Sequence, residues 1–318
     1  MITSQKKILV TGASGQLGVE LTQALVTRFG SDSVIATDID KNASGRLDFC
    51  SFRKLDVLDN QKIKEILDEE RFTQVYHLAA ILSANGEAKP FLTWDVNMSG
   101  LLLILDFAKT YGFKVFCPSS IAVFGKGTPL KNTPQNAFGI PTTVYGISKQ
   151  AGEQWCNYYH DRFGVDVRSV RYPGLIGYKT LPGGGTTDYA VDIFHKAIAG
   201  EKYNCFLTED TKLPMMYMPD AIDATLGIML ANPENLSNRT SYNIAGMSFT
   251  PKELFKEIKK HIENFDIEYH PDYRQQIAES WPSEIDDQIA RTDWGWNPKY
   301  NLESMVNDML MKLAVVLK

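Results

Sequence analysis

The chain has 318 residues, of which 44% are hydrophobic and 22% charged, with a formal net charge of −5 at pH 7. Since single cores usually stop growing at roughly 250 residues, this length predicts one α/β domain with a smaller lobe appended. The acidic balance excludes a strongly basic surface, so we expect no nucleic acid among the partners.

Cysteine use and the first residues indicate the compartment. The four cysteines are far apart, without a CxxC pair or a histidine at metal-ligand spacing, so we expect neither a disulfide framework nor a metal site. Residues 1–7 are polar and lead directly into an apolar run, which is not the pattern of a signal peptide, and no apolar run reaches bilayer length. The sequence therefore predicts a cytoplasmic protein without a membrane partner.

A glycine-rich turn follows the first apolar run. Residues 7–11 predict a strand, residues 19–26 have the periodicity of a helix, and three glycines spaced GxxGxxG lie between them. A pyrophosphate needs a backbone that it can approach closely and amides that point at it from a helix N-terminus, and glycines allow both. The contacts to a dinucleotide expected here are Gly12, Gly15, Gln16, Leu17 and Gly18.

The second predicted strand, residues 33–37, indicates which dinucleotide binds. It ends in Asp38, about twenty residues after Gly18, where an acidic side chain binds the adenosine ribose hydroxyls. This carboxylate would repel a 2′-phosphate, and no arginine adjoins it to compensate. We therefore expect NAD rather than NADP; the alternative is a doubly wound fold that binds no cofactor.

Strand and helix patterns alternate along the rest of the first half, which predicts an α/β fold with a Rossmann-like doubly wound parallel sheet over residues 1–172. The predicted strands are 51–55, 74–78, 114–118 and 166–171, and the predicted helices are 60–69, 97–110 and 146–163. Residues 173–318 predict a smaller mixed α/β lobe that mainly binds substrate, with segments around 219–250 returning to the first domain. Its predicted elements are 188–199, 219–232, 241–245, 251–263 and 302–317, with Thr250 as N-cap of the helix that starts at Pro251.

Chemically useful side chains follow the predicted strands, at the edge where open α/β sheets bind ligands. Strand ends place Leu78, Ala79, Ala80 and Tyr172 at this edge as further cofactor contacts. Tyr145 and Lys149 are four residues apart and so share one face of a helix. The ammonium, together with the positive charge of oxidised nicotinamide, favours a phenolate that can act as a base.

A tyrosine and a lysine at this spacing also occur together by chance, but here they follow Ser120 and a complete nucleotide fingerprint. In this arrangement residues 7 to about 250 resemble the extended short-chain dehydrogenase/reductase family. The resemblance implies that Ser120, Tyr145 and Lys149 are the catalytic residues and that Asp56 contacts the adenine. It also matches Asn97 to the family's helix asparagine, for which a buried structural amide is an equal alternative.

Four further blocks, residues 77–87, 171–177, 182–190 and 280–282, are similar to the short-chain L-threonine 3-dehydrogenases, a group within that family. This resemblance implies NAD-dependent oxidation of the L-threonine β-hydroxyl to 2-amino-3-ketobutyrate. Ser83 and Thr186 would supply hydroxyls to the zwitterion, and Trp281 an apolar wall, although the glycine loop can be a turn and the tryptophan simple packing. A ligase that consumes this β-keto acid is a candidate functional partner.

Two other functions stay open at this point. The first is an NAD-retaining nucleotide-sugar 4-epimerase or dehydratase of the same extended family, and the second is a non-catalytic NAD-binding regulator.

The helices predicted at 97–110 and 146–163 also lead us to expect a homodimer, since they carry more apolar side chains than one face can bury. Those side chains are Leu101, Leu102, Leu105, Phe107, Trp155, Tyr158 and Tyr159.

Overall fold

In the computed structural model, which describes residues 6–181, 183 and 185–316, strands and helices alternate along the first half of the chain. The strands are β1 (Ile8–Thr11), β2 (Val34–Asp38), β3 (Ser51–Lys54), β4 (Gln74–His77), β5 (Lys114–Phe116), β6 (Ser119–Ser120), β7 (Val167–Arg168), β8 (Val170–Tyr172), β9 (Gly174–Ile176), β10 (Tyr203–Cys205), β11 (Leu213–Tyr217), β12 (Tyr242–Asn243), β13 (Met247–Phe249) and β14 (Ile267–Tyr269). The helices are α1 (Gln16–Phe29), α2 (Asn60–Glu69), α3 (Ser83–Glu87), α4 (Pro90–Trp94), α5 (Gly100–Tyr111), α6 (Val144–Phe163), α7 (Tyr189–Ala199), α8 (Met218–Leu230), α9 (Pro251–Lys259), α10 (Tyr273–Glu279), α11 (Gln288–Trp294) and α12 (Leu302–Val316).

The largest sheet has six parallel strands in the order β3-β2-β1-β4-β5-β7. Strands β1 and β4 are buried along their whole length, as expected for a parallel sheet that helices cover on both faces. The predicted Rossmann-like doubly wound fold is confirmed. Because the strand order reverses between β1 and β4, a crevice lies at the carboxyl ends of these two strands.

The strand predicted at residues 166–171 is wrong in detail, because the structure divides it into β7 and β8. The neighbouring strand, predicted at 114–118, ends earlier, since β5 stops at Phe116 and a separate strand, β6, begins at Ser119. Before the break β5 pairs with β7, and after it β6 pairs with β8 in the same register. Pro118 lies in the gap between β5 and β6 and lacks an N–H on the β4 side, whereas the amides that donate towards β7 are those of Val115 and Cys117. Beyond the break, β8 pairs with β12 on its other side.

The remaining strands form two small sheets in a second lobe. Strand β11 is antiparallel to β13 and parallel to β9, and β10 pairs in parallel with β14. Helices α7, α9 and α12 pack on one another and bury Phe194, Leu254 and Met309. The expected start of α9 is confirmed, because Thr250 and Glu253 form a reciprocal capping box.

Segments from the second half of the chain return to the large sheet. Helix α8 packs on α1, β12 pairs with β8, and α11 contacts β12. Ile222, Tyr242 and Trp296 of these segments share one buried core with Val10 and Leu21 of the first half. The two halves of the chain are therefore interleaved around a common core.

Helices α4 and α5 are joined by a wider π-helical turn, Asp95–Ser99, so that one helix extends over Pro90–Tyr111. With 22 residues it is long and apolar enough, by length and composition alone, to cross a membrane. The expectation that no segment reaches bilayer length is wrong in this respect. However, 44% of its most apolar stretch of 18 residues is buried in the protein. Helix α5 also packs on α6 and β5, which is the environment of a core helix.

Candidate active site

A cavity of about 520 Å³ lies at the carboxyl ends of β1, β2 and β4 and extends to the second lobe. Its size is typical of small-molecule sites, which span roughly 300–1,000 Å³. The predicted site residues that line it are Gly12, Gly15, Gln16, Leu17, Gly18, Asp38, Asp56, Leu78, Ala79, Ala80, Ser83, Ser120, Tyr145, Lys149, Tyr172, Thr186 and Trp281. Of the predicted site residues, all of which are within the described ranges, only Asn97 does not line it.

The glycine turn brings the start of α1 close to β1 and β4. Gly12 has a φ of 67°, a left-handed conformation that favours glycine. A Cβ on Gly12 would lie 2.5 Å from the Ala79 nitrogen, and a Cβ on Gly18 would lie 2.3 Å from the Gly12 carbonyl oxygen. Gly15 is the N-cap of α1 and brings no side chain to its first-turn amides. The turn therefore fits the pyrophosphate of a dinucleotide in shape and polarity.

Two carboxylates, those of Asp38 and Asp56, belong to residues that also line the cavity. Asp38 Oδ2 accepts a hydrogen bond from the Ser14 amide and Asp38 Oδ1 one from the Asp40 amide, both at 3.0 Å. Asp56 Oδ1 accepts one from the Leu58 amide, also at 3.0 Å. The backbone thus holds both groups in place, where they suit ribose hydroxyls and an adenine amino group.

Ser120, Tyr145 and Lys149 line the same cavity. Tyr145 is the second residue of α6, and Lys149 Nζ lies 5.7 Å from the centroid of the Tyr145 ring. Lys149 Nζ donates a 2.8 Å hydrogen bond to the Pro118 carbonyl oxygen, which lies in the break between β5 and β6. Ser120 Oγ accepts a hydrogen bond from the Ala122 amide at 3.2 Å. The three side chains thus form a group that can orient an alcohol and remove its proton.

The start of α6 lies very close to the turn after β6. A Cβ on Gly146 would lie only 2.2 Å from the Ala122 carbonyl oxygen, so glycine is required for this approach. The Thr143 side chain caps the helix by accepting a 3.0 Å hydrogen bond from the Gly146 amide. These contacts place Tyr145 over the end of β6.

A buried network under this site was missed by sequence reasoning. Glu153, one turn after Lys149, accepts hydrogen bonds from Ser119 Oγ at 2.6 Å and from the Arg171 guanidinium at 2.8 and 2.7 Å. Arg171 also donates to the Gln135 carbonyl oxygen at 2.8 Å. Because each charge has several partners, the ion pair is compatible with burial and ties α6 to β6 and β8.

Asn97, a predicted cofactor contact, does not line the cavity. Asn97 Oδ1 accepts a 2.8 Å hydrogen bond from the Ile81 amide, while Asn97 Nδ2 donates to the Ile81 carbonyl oxygen and to Ser148 Oγ, both at 3.1 Å. These bonds use the hydrogen-bonding capacity of the amide within the protein. These bonds join the segment after β4 to α6 and favour the alternative interpretation of Asn97 as a buried structural amide.

His77 ends β4 and is buried, with its Nδ1 2.9 Å from Thr11 Oγ1. Burial, together with a smaller contribution from the positive charge of Lys149, lowers the pKa of His77 to about 3. The imidazole is therefore neutral at neutral pH. It is a fixed part of the wall beneath the site rather than a proton carrier.

The substrate side of the cavity brings together distant segments. Ser83 Oγ of α3 lies 3.4 Å from Thr186 Oγ1, and both residues are buried. Trp281 lines the cavity and packs in the core of the second lobe, so the packing interpretation also applies to it. Of the glycine loop predicted here, Pro182 and Gly184 lie outside the described residues.

Asp188 is a lining residue that sequence reasoning did not select. Its Oδ2 accepts a 2.7 Å hydrogen bond from the Gly185 amide, and the residue lines the cavity. The signal for it was an acidic residue directly after the Thr186-Thr187 pair.

Tyr172, which was selected, lines the cavity but directs its hydroxyl to Thr225 of α8. Burial raises the pKa of this phenol, so it stays neutral.

The family model described as the NAD dependent epimerase/dehydratase family matches residues 8–245. Similar solved structures include a partial consensus L-threonine 3-dehydrogenase, which is 55% identical with a TM-score of 0.95, with 97% of this chain and 99% of that chain covered. The GalE-like L-threonine dehydrogenase from Cupriavidus necator in its holo form is also 55% identical, with a TM-score of 0.94 and 96% and 99% covered. A monomeric L-threonine 3-dehydrogenase from a metagenome is 48% identical, with a TM-score of 0.94 and 98% and 100% covered.

Among curated relatives, an uncharacterized epimerase/dehydratase of Staphylococcus haemolyticus is 45% identical over 96% of each chain. Together with the fold, these matches support an NAD-dependent oxidoreductase. Because the family model covers well over half of its residues, the chain belongs to the NAD dependent epimerase/dehydratase family, the extended short-chain dehydrogenase/reductases.

Proposed function

We propose that the protein uses NAD to oxidise the β-hydroxyl of L-threonine to 2-amino-3-ketobutyrate. The observation that carries this proposal is that one cavity joins the glycine turn to Ser120, Tyr145 and Lys149 and to the hydroxyls of Ser83 and Thr186. The activity of the similar solved structures, which are L-threonine dehydrogenases, supports the choice of substrate.

The charges of the cavity favour a small zwitterion over a sugar nucleotide. Among the described residues that line it, Lys149 is the single lysine or arginine, and it lies at the catalytic group. A sugar nucleotide brings a second pyrophosphate, which needs cationic partners. An amino acid needs a partner for its ammonium, which Asp188 supplies, and hydrogen-bond donors for its carboxylate, which Ser83 and Thr186 supply.

Each catalytic side chain has one role in this reaction. Bound NAD supplies the acceptor for the hydride that leaves the threonine β-carbon. The Tyr145 phenolate takes the proton of the β-hydroxyl while Ser120 holds that hydroxyl in line. Lys149 is held by the Pro118 carbonyl oxygen and keeps a positive charge beside the phenolate.

The decisive experiment is to incubate the protein with NAD and L-threonine and to follow NADH. We expect turnover with L-threonine and much less with D-threonine or L-allo-threonine, because inversion of one carbon misplaces the ammonium or the hydride. L-Serine should also be slow, since it lacks a methyl group whose apolar contact contributes about 1–3 kcal/mol. If no NADH forms while a panel of UDP-sugars is epimerised or dehydrated, the substrate assignment is wrong.

We also propose a homodimer formed through the continuous helix Pro90–Tyr111, which includes the helix predicted at 97–110, and α6. Exposed apolar side chains on these helices support it: Phe91, Trp94, Ile147, Trp155, Tyr158 and Phe163. Three side chains expected on this surface, Leu101, Leu105 and Tyr159, are instead buried in the core. Sedimentation at low micromolar concentration should give twice the chain mass. A monomer, as in the metagenome relative, would contradict the proposal.

A further inference from the structure

Helix α3 connects the substrate side of the cavity to the helix that carries the tyrosine. At its C-terminal end, Glu87 Oε1 accepts a 2.8 Å hydrogen bond from the amide of Val144. Val144 is the first residue of α6 and directly precedes Tyr145. The first amides of a helix have no partner inside the helix, so this bond comes from outside it and restrains its first turn.

The rest of α3 is fixed at both of its ends. A Cβ on Gly86 would lie 3.1 Å from a methyl carbon of Thr93 and 3.6 Å from one of Val144, so α3 lies directly against α4 and the start of α6. Asn85 Nδ2 donates a 2.9 Å hydrogen bond to the Gly183 carbonyl oxygen, and the Ser83 hydroxyl lies 3.4 Å from that of Thr186. Within five residues, α3 therefore contacts both the substrate side and the catalytic helix.

We propose that Glu87 is a positioning residue, which sets the place of the Tyr145 phenol relative to the substrate held near Ser83. This inference rests on the proposed oxidation of L-threonine. Glu87 does not line the cavity, so its effect passes through Val144. Hydrogen bonds from an amide to a carboxylate are roughly twice as strong as neutral ones. Proton and hydride transfer require atoms aligned within about 3–3.5 Å, so loosening the first turn of α6 should slow the chemical step.

The test compares Glu87→Ala with Glu87→Gln. The alanine variant should lower kcat for L-threonine about tenfold, with KM and NAD affinity changed by less than about twofold, because alignment rather than binding is lost. Its primary deuterium isotope effect, measured with threonine deuterated at the β-carbon, should increase. The glutamine variant should recover most of the turnover, since an amide oxygen can still accept the bond from Val144.

A matched control is Glu253→Ala. Glu253 also accepts a hydrogen bond from a backbone amide at a helix N-terminus, that of Thr250 at 2.8 Å, but α9 carries no residue of the cavity wall described here. This variant should match Glu87→Ala in any loss of Tm and leave kcat unchanged. Wild-type turnover in Glu87→Ala, an equal loss in Glu253→Ala, or a change confined to KM would overturn the assignment.

Hydrogen exchange separates this inference from the proposed function. In Glu87→Ala the amides of Val144 to Gly146 should exchange faster than in the wild type, whatever substrate the enzyme uses. If the wild type makes no NADH from L-threonine but this exchange still accelerates, the substrate is wrong and the positioning role stands. If the exchange is unchanged, Glu87 does not restrain α6 and the inference fails.

Discussion

The cofactor side and the substrate side of the cavity are built in different ways. On the cofactor side, Gly12, Asp38 and Ala79 follow three neighbouring parallel strands of one sheet. On the substrate side, Ser83, Thr186 and Trp281 come from segments about one hundred residues apart, with no shared strand. Periodic strands fix the position of residues at their ends, whereas the substrate side depends on how separate loops and helices pack. The first kind of site can therefore be read from spacing and the second cannot.

The largest effect is expected where the two sides meet. Tyr145→Phe keeps the ring but removes the ionisable oxygen, so kcat should fall by at least about a hundredfold while the affinities for NAD and L-threonine survive. Steady-state kinetics and NAD titration check this. The control is Tyr158→Phe, on the same helix but outside the cavity, which should remain active. Retained turnover in Tyr145→Phe would remove the tyrosine from the mechanism.

A smaller effect, confined to the cofactor side, is expected for Asp38→Ser. Removing this carboxylate removes its repulsion of a 2′-phosphate, so the preference for NAD over NADP should narrow, by about tenfold or more, with KM for threonine unchanged. Asp40→Ser is the matched control, since Asp40 lies two residues away, is half-buried and does not line the cavity. A wild-type enzyme that already uses both cofactors equally would contradict this role.

The substrate side should respond separately. Thr186→Val removes one buried hydroxyl at nearly constant volume, so KM for L-threonine should rise about fivefold to tenfold while the Kd for NAD is unchanged. Thr22→Val is a suitable control, because the Thr22 hydroxyl is buried on α1 without a hydrogen-bond partner among the described residues. If Thr186→Val weakens NAD as much as threonine, the division into two sides is incorrect.

The smallest effect concerns the free energy of unfolding and its dependence on pH, through His77 beneath the cofactor side. Because the pKa of buried His77 is lowered to about 3, the unfolded chain binds its proton first as the pH falls. Stability should therefore be lost below about pH 6.5, with a slope of at most about 1.4 kcal/mol per pH unit from this residue. Urea unfolding of the wild type and of His77→Asn from pH 7 to pH 4 measures the difference. Equal slopes would mean that His77 already titrates normally in the fold.

The elements that have a periodic apolar pattern or a fixed motif spacing could be predicted from the sequence. Helix α2 and the end of β2 at Asp38 follow directly from apolar periodicity and the glycine turn. The division of the strand at 166–171 was not visible, because it follows a change of pairing partner from β5 to β6 and β12, which lie far away in the sequence. Tertiary pairing rather than local pattern decided that boundary.

The candidate site shows the same limit. Its glycines and the Tyr145–Lys149 pair have fixed spacings, and their positions could be predicted. Helices α3 and α4 have five residues each, too few for a periodic signal, so Glu87 could not be selected. Asn97 matched a family position, but whether its amide faces a ligand or the backbone depends on the fold of residues 80–82 around it.

The interleaving of the two halves has a consequence for synthesis. Strand β8 ends at Tyr172, but its second neighbour, β12, begins only at Tyr242. While the ribosome extends the chain between them, β8 is an unpaired edge that can associate with other chains. Arg171 lacks the Asn243 oxygen, 3.0 Å away in the finished fold, for the same interval. The sheet of β6, β8 and β12 is therefore completed late, and the yield of folded protein in a cell should depend on how well chaperones protect the unpaired edge of β8.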